Sequence, residues 1–170
     1  MRRKVVYFKL HKCKLCCKTK QSEVSRESLL AELKYDITPE NAPRFAADVA
    51  VVVEANEGVT LDYSPRSLET IDRIIGGFHV EGVNVEDVAA TVFGFGCYVG
   101  EVFVRNAGAK WRAASQDEID NVFGVPLVLQ LGRDVTVNAI GKVIKRLENG
   151  DEENLPYFYR AFAKRNRGSA

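Results

Sequence analysis

The sequence is poor in the side chains that carry most nucleophilic, redox and metal chemistry. It has two histidines, four cysteines, one methionine and one tryptophan in 170 residues. Three of the cysteines (Cys13, Cys16, Cys17) and one histidine (His11) crowd into the first 17 residues. Beyond them only His79 and Cys97 remain as soft ligands. That scarcity argues against a disulfide framework, and Cys97, set in an apolar stretch, reads as a small buried hydrophobe. Long apolar runs are also missing. The longest, around Val49–Val53 and Val125–Leu131, fall well short of the roughly 20 residues a membrane helix needs. The run Val5-Val6-Tyr7-Phe8 is broken by Lys9, before it reaches the 7–15 apolar residues or so of a secretory signal. A cytoplasmic protein is therefore expected. The chain has no internal repeat, no low-complexity tract, no G-x-x-x-x-G-K-[ST] loop and no dinucleotide fingerprint, so nucleotide chemistry is not expected either.

What is present is a core. The hydrophobic fraction is 46 %, and the length suits one domain of ordinary size. Charge is uneven. Residues 1–20 carry eight cations and no acid, and since the whole chain is +1, the remaining 150 residues carry a net −7. The reading is a flexible basic arm over residues 1–21, one domain over 22–165, and a frayed tail over 166–170.

Within the domain, Ser25 can cap a helix running to Tyr35, with Leu29, Leu30 and Leu33 on one side. Asp36–Pro39 is a break. The Ala/Val-rich run Arg44–Ala55 predicts a buried helix, with a buried strand as the alternative. Val59–Tyr63 reads as a short strand. Ser64-Pro65 opens a helix that Gly76-Gly77 ends. Asn84 caps the central apolar helix, which ends at Asn106–Gly108. Three glycines, at 94, 96 and 100, lie inside it. Each costs about 1 kcal/mol against alanine, which points to close packing against other elements. Lys110-Trp111-Arg112 and Val125–Leu131 read as strands, Val135–Leu147 as an amphipathic helix, and Leu155–Lys164 as an aromatic C-terminal helix. Helices flanking a few short strands predict an α+β fold: one layered domain with helices packed on a small, mostly antiparallel sheet.

The middle of the chain carries a pattern. It runs Leu61-Asp62-Tyr63-Ser64, Ser67-Leu68, Ile71-Asp72, then Gly96-x-Tyr98-x-Gly100-Glu101-Val102, Arg105, Gly108 and Trp111. It continues through Asn138-Ala139-Ile140-x-Lys142-Val143, Arg146-Leu147, Asn149-Gly150 and Phe158-Tyr159. Over residues 59–160 this resembles a group of uncharacterised bacterial domains that share a G-x-Y-x-G-E-V…G-x-x-W core. The resemblance implies a bacterial α+β domain, assigns no catalysis, and through some members suggests an immunity-like or accessory role.

Several residues are candidates for function. Tyr98, Glu101 and Arg105 share a helix face at spacings of three and four, and with Trp111 they suggest an interaction surface or a local ion pair. Tyr157 and Tyr159 belong to an aromatic cluster that can anchor an interface or dock on its own core. As catalytic candidates, Asp62, His79 and Glu101 are acids or bases without a visible nucleophile. His11, Cys13, Cys16 and Cys17 are the only zinc candidates, but they form one cluster where a closed site usually needs two separated pairs, so no cofactor is expected. The leading expectation is a non-catalytic protein-binding protein whose partner is another protein. An enzyme with a pocket near Glu101, Asp62 and His79 is one alternative. A nucleic-acid-binding module acting through the arm, where Tyr7 and Phe8 interleave the cations, is another.

Overall fold

The computed structural model describes residues 33–120 and 124–167. The basic arm, its metal candidates His11, Cys13, Cys16 and Cys17, the start of the helix expected from Ser25, and the tail from 168 lie outside the described residues. Of that first helix only the end can be compared, and Leu33–Tyr35 are not helical.

Alternation decides the first ambiguity. Ala42, Phe45, Ala46, Val49 and Val53 are the buried residues of the Ala/Val run, a spacing of three and four that only a helix produces. Helix α1 is Ala42–Glu57, with Pro43 in its first turn, where a missing N–H costs nothing, and Gly58 as a left-handed cap. The segment expected as a strand at Val59–Tyr63 forms no ladder; it is an irregular link. Ser64 then accepts the Ser67 N–H through its hydroxyl and starts a 3₁₀ turn, Pro65–Ser67, that leads into α2, Leu68–Val80.

Helix α2 passes straight through Gly76-Gly77, contrary to the sequence expectation. Burial of Ile75 and Phe78 on one face holds the helix together, and Gly76 is there for space. A Cβ at that position would lie 2.7 Å from Nη2 of Arg146. Asn84 precedes a 3₁₀ turn, Val85–Val88, and the α-helix proper, α3, begins at Ala89 and ends at Ala107.

Helix α3 is the axis of the molecule. Its twelve consecutive residues Val92–Phe103 are all buried. The stretch Val85–Ala107 is long and apolar enough to cross a bilayer by length and composition, a feature the run-by-run reading missed because glycines and a glutamate interrupt it. Here that apolarity is used against the protein's own elements. Helices α1, α5 and α6 and the first strand all pack on α3.

The sheet has three antiparallel strands in the order β1-β2-β3: Lys110–Ala113, Leu127–Leu131 and Val135–Val137. Trp111 stands opposite Leu129, and Leu129 opposite Val137. Between β1 and β2 the turn Gln116–Glu118 (α4) is fixed by a reciprocal cap, Ser115 Oγ accepting from Glu118 N and Glu118 accepting from Ser115 N. The amphipathic run Val135–Leu147 divides. Its first three residues are β3, and Asn138, accepting the Gly141 N–H at 2.7 Å, starts helix α5, Ala139–Asn149. A three-residue strand is too short for period-two alternation to register in the sequence. A 3₁₀ turn, Gly150–Glu153, and helix α6, Leu155–Arg167, complete an α+β domain in which the helices predominate.

Candidate functional site

The pattern residues of the middle of the chain meet at one place, where α3 passes the link before α2 and the strand β1. Tyr98 is fully buried. Its phenolic oxygen accepts the Tyr63 N–H at 2.9 Å and lies 2.7 Å from Ser67 Oγ. Ser67 already gives its one hydroxyl proton to the Ser64 carbonyl at 2.7 Å, so Tyr98 is the donor to Ser67. Asn106 closes the other side of Tyr63, donating through Nδ2 to the Tyr63 carbonyl at 2.8 Å and to Val102 O at 2.9 Å.

These bonds hold Tyr63 at φ 59°, the only non-glycine residue with positive φ among the described residues. Such a backbone costs on the order of 1–3 kcal/mol. The result is a sandwich. The Tyr63 ring stacks on Tyr98 with centroids 4.8 Å apart, and the Arg105 guanidinium covers its outer face at 3.5 Å. Burial raises the pKa of both phenols, so both rings are neutral at physiological pH.

Glu101, one turn beyond Tyr98, is buried at 4 % exposure and holds the second half of the cluster. One carboxylate oxygen accepts Trp111 Nε1 at 2.9 Å, and the other accepts Arg105 Nε at 3.3 Å. Gly100 makes this possible. A Cβ there would lie 2.0 Å from Cζ2 of Trp111, inside the indole. Both oxygens of Glu101 are thus engaged by groups it positions, and Arg105, with a side chain 47 % exposed, carries the cluster to the surface.

The structure brings Tyr98, Glu101, Arg105 and Trp111 together and adds Tyr63, Ser67 and Asn106. The i, i+3 and i, i+4 spacing found the first three. Nothing in the spacing marked Tyr63 as a ring to be clamped, because its role depends on a backbone conformation that only the surrounding bonds enforce. Asp62, next to Tyr63, is exposed. The Ser64 hydroxyl and N–H hold its carboxyl below the usual carboxylate range. His79 is elsewhere. It lies in the last turn of α2, about 18 Å along the helix from Ser67, because α2 continues past the stop expected at Gly76-Gly77. Its Nδ1 donates to Leu147 O at 2.8 Å, joining the ends of α2 and α5. Asp62 and Glu101 therefore flank one cluster, and His79 does not join them. Tyr159 is buried against Phe103, 4.9 Å between centroids, and Phe158 and Phe162 extend that stack. Tyr157 alone of the C-terminal tyrosines is exposed, at 66 %. The C-terminal aromatics thus dock α6 onto the core, with one ring left at the surface.

Sequence reasoning passed over a buried ion pair. Asp72, on the apolar face of α2, accepts Arg146 Nε at 3.1 Å and Nη2 at 3.3 Å, Asn154 Nδ2 at 3.3 Å and the Leu155 N–H at 2.8 Å. Arg146 is 4 % exposed and also reaches the exposed Asp151 at 2.8 Å. The signal was available: a carboxylate among Leu68, Ile71 and Ile75, and an arginine between Val143 and Leu147, each on a core-facing stripe. A second feature is an apolar groove of about 510 Å³ between the 3₁₀ turn at Val85, the first turn of α3 and the first turns of α5. Among the described residues no cluster of three or more His, Cys, Asp or Glu side chains is placed to hold a metal ion.

No protein-family profile, curated protein or solved structure matches the chain. The motif resemblance rests on the residues that carry it.

Proposed function

We propose that the protein is a non-catalytic binding protein that recognises another protein through the surface where Tyr63, Arg105 and Trp111 emerge beside α3. The observation that carries this reading is the strained Tyr63. Backbone strain persists only where neighbours over-determine it, and here two side chains of α3, Tyr98 and Asn106, engage both backbone groups of one residue whose ring underlies an exposed guanidinium. Tyrosine, arginine and tryptophan are the residue types that dominate interface energetics, and rings fixed before contact lose little freedom on binding. Glu101 supports the same reading. It spends its charge on orienting Arg105 and Trp111, where a general base would keep an oxygen available. Tyr157, exposed on α6, is a second anchor on the same domain. An immunity-like or accessory role, in which the domain covers the working surface of another protein, is the form of this reading that the motif favours.

The test is affinity capture from the cells that make the protein, with wild-type bait beside Arg105→Ala and Tyr63→Gly baits, at moderate salt. The expected result is one protein retained stoichiometrically by wild type and at least tenfold less by each variant, with all three baits melting cooperatively. The same partner retained equally by all three, or no partner retained by wild type, would overturn the proposal.

A further inference from the structure

We propose that the exposed edge of the Arg105 guanidinium is the seat of one carboxylate side chain, an Asp or Glu, of a protein partner. The inference rests on the Tyr63–Arg105 reading above and names the chemistry that this surface takes. An arginine carries five N–H donors in a planar fork that matches a carboxylate. Arg105 commits only its Nε to a carboxylate of its own chain. That bond, to Glu101, is 3.3 Å long, beyond the roughly 2.7–2.9 Å of a full charge-assisted bond. Glu101 also divides its charge between Arg105 and the Trp111 indole. Among the described residues no second carboxylate pairs with Arg105. The Nη edge of the fork is therefore the part left for a partner.

Position and charge decide what that edge takes. The Tyr63 ring lies 3.5 Å from the guanidinium, and Tyr63 is itself clamped by Tyr98 and Asn106, so the fork is set before any contact. A fork fixed in advance loses little freedom on binding. Tyr63 and Trp111 are half-buried beside it and supply an apolar rim, which shields a seated ion pair from water. The described residues carry 15 lysines and arginines against 20 aspartates and glutamates, so the domain is acidic. The link before α2 and the end of α3 depart from that balance. Their charges are Asp62, Arg66, Glu101 and Arg105, and Glu101 is buried. At the surface two guanidiniums thus stand against one carboxylate. That excess suits a single acidic side chain. It does not suit nucleic acid, whose phosphates need several cations together.

The experiment pans a random linear peptide library, displayed on phage, against the full-length protein at about 0.15 M salt. Peptides directed to this surface are those that bind wild type at least tenfold better than Tyr63→Gly, which removes the ring beneath the guanidinium. Peptides held by the basic residues 1–20 bind both proteins alike and are set aside. Each surface-directed peptide is expected to carry an Asp or Glu beside an aromatic or aliphatic residue. Changing that one acid to its amide in the peptide is expected to weaken binding at least tenfold. This change leaves the protein untouched, so the folding of a variant does not enter. Arg105→Lys, which keeps the charge and loses the fork, is expected to weaken binding at least threefold. Surface-directed peptides that lack an acid, that bind equally well as the amide, or that bind Arg105→Lys as tightly as wild type would overturn the carboxylate seat and leave the Tyr63–Arg105 surface standing. Recovery of no surface-directed peptide would overturn both.

Discussion

Replacing Asp72 by alanine removes a carboxylate that accepts four hydrogen bonds and leaves Arg146 charged in the interior. Two of those bonds come from Arg146, one from Asn154 and one from the Leu155 backbone, so the ion pair also fixes the start of α6. Among the described residues the acid still paired with Arg146 is Asp151, whose side chain is 99 % exposed and whose attraction is screened by water. Breaking a buried pair by removing one partner costs about 3–5 kcal/mol, because the remaining charge is uncompensated. For a chain of this length each kcal/mol lowers Tm by about 2–4 °C, which gives a drop of about 6–20 °C. Urea unfolding followed by far-UV circular dichroism at pH 7 measures it. Asp72→Ala/Arg146→Met should recover at least 1 kcal/mol relative to the sum of the single variants, since it removes both charges together. The loss should also change little between 0.1 and 1 M salt, as expected of a pair shielded from counterions. A cost below 1 kcal/mol for Asp72→Ala, or strict additivity in the double variant, would refute the reasoning.

Gly100→Ala forces a methyl into the Trp111 ring and should cost about 1–3 kcal/mol. As Trp111 is the only tryptophan, a shift of its emission wavelength reports the displacement directly, and unchanged emission would contradict the close approach. Tyr63→Gly relieves the positive φ while losing the ring, whereas Tyr63→Val keeps the strain and adds a β-branch, so the valine variant should be less stable than the glycine variant by about 1–2 kcal/mol; equal Tm values would sink that account. Arg112, bidentate to Glu118, with help from the Ser115 N–H, brings the Glu118 carboxyl down to about 2 from a usual 4.5. Its folded pKa is depressed, so its contribution is present above pH 4.5 and is lost as pH falls toward 2. The Tm difference between wild type and Glu118→Gln should therefore shrink across that window, and a difference constant from pH 6 to 2 would show that the pair does not titrate as stated.

The sequence by itself determined the elements whose signals are local. The helix start at Ser64-Pro65, the left-handed stops at Gly58 and Gly108, and the choice of an α+β layer all follow from capping chemistry and periodicity. Glycines inside α3 marked close packing, although which element each one meets was not in the pattern: Ile140 of α5 for Gly96 and Trp111 of β1 for Gly100. Tertiary structure alone decided three things. It carried α2 through Gly76-Gly77, because space beside Arg146 outweighs the propensity cost there. It turned Val59–Tyr63 from a strand into a strained link, because Tyr98 and Asn106 take the Tyr63 backbone groups that a ladder would have used. And it joined Asp72 to Arg146 across 74 residues. Local spacing reports which residues share a face of one element. Which faces then meet is set by burial summed over the whole chain, and no window of sequence contains that sum.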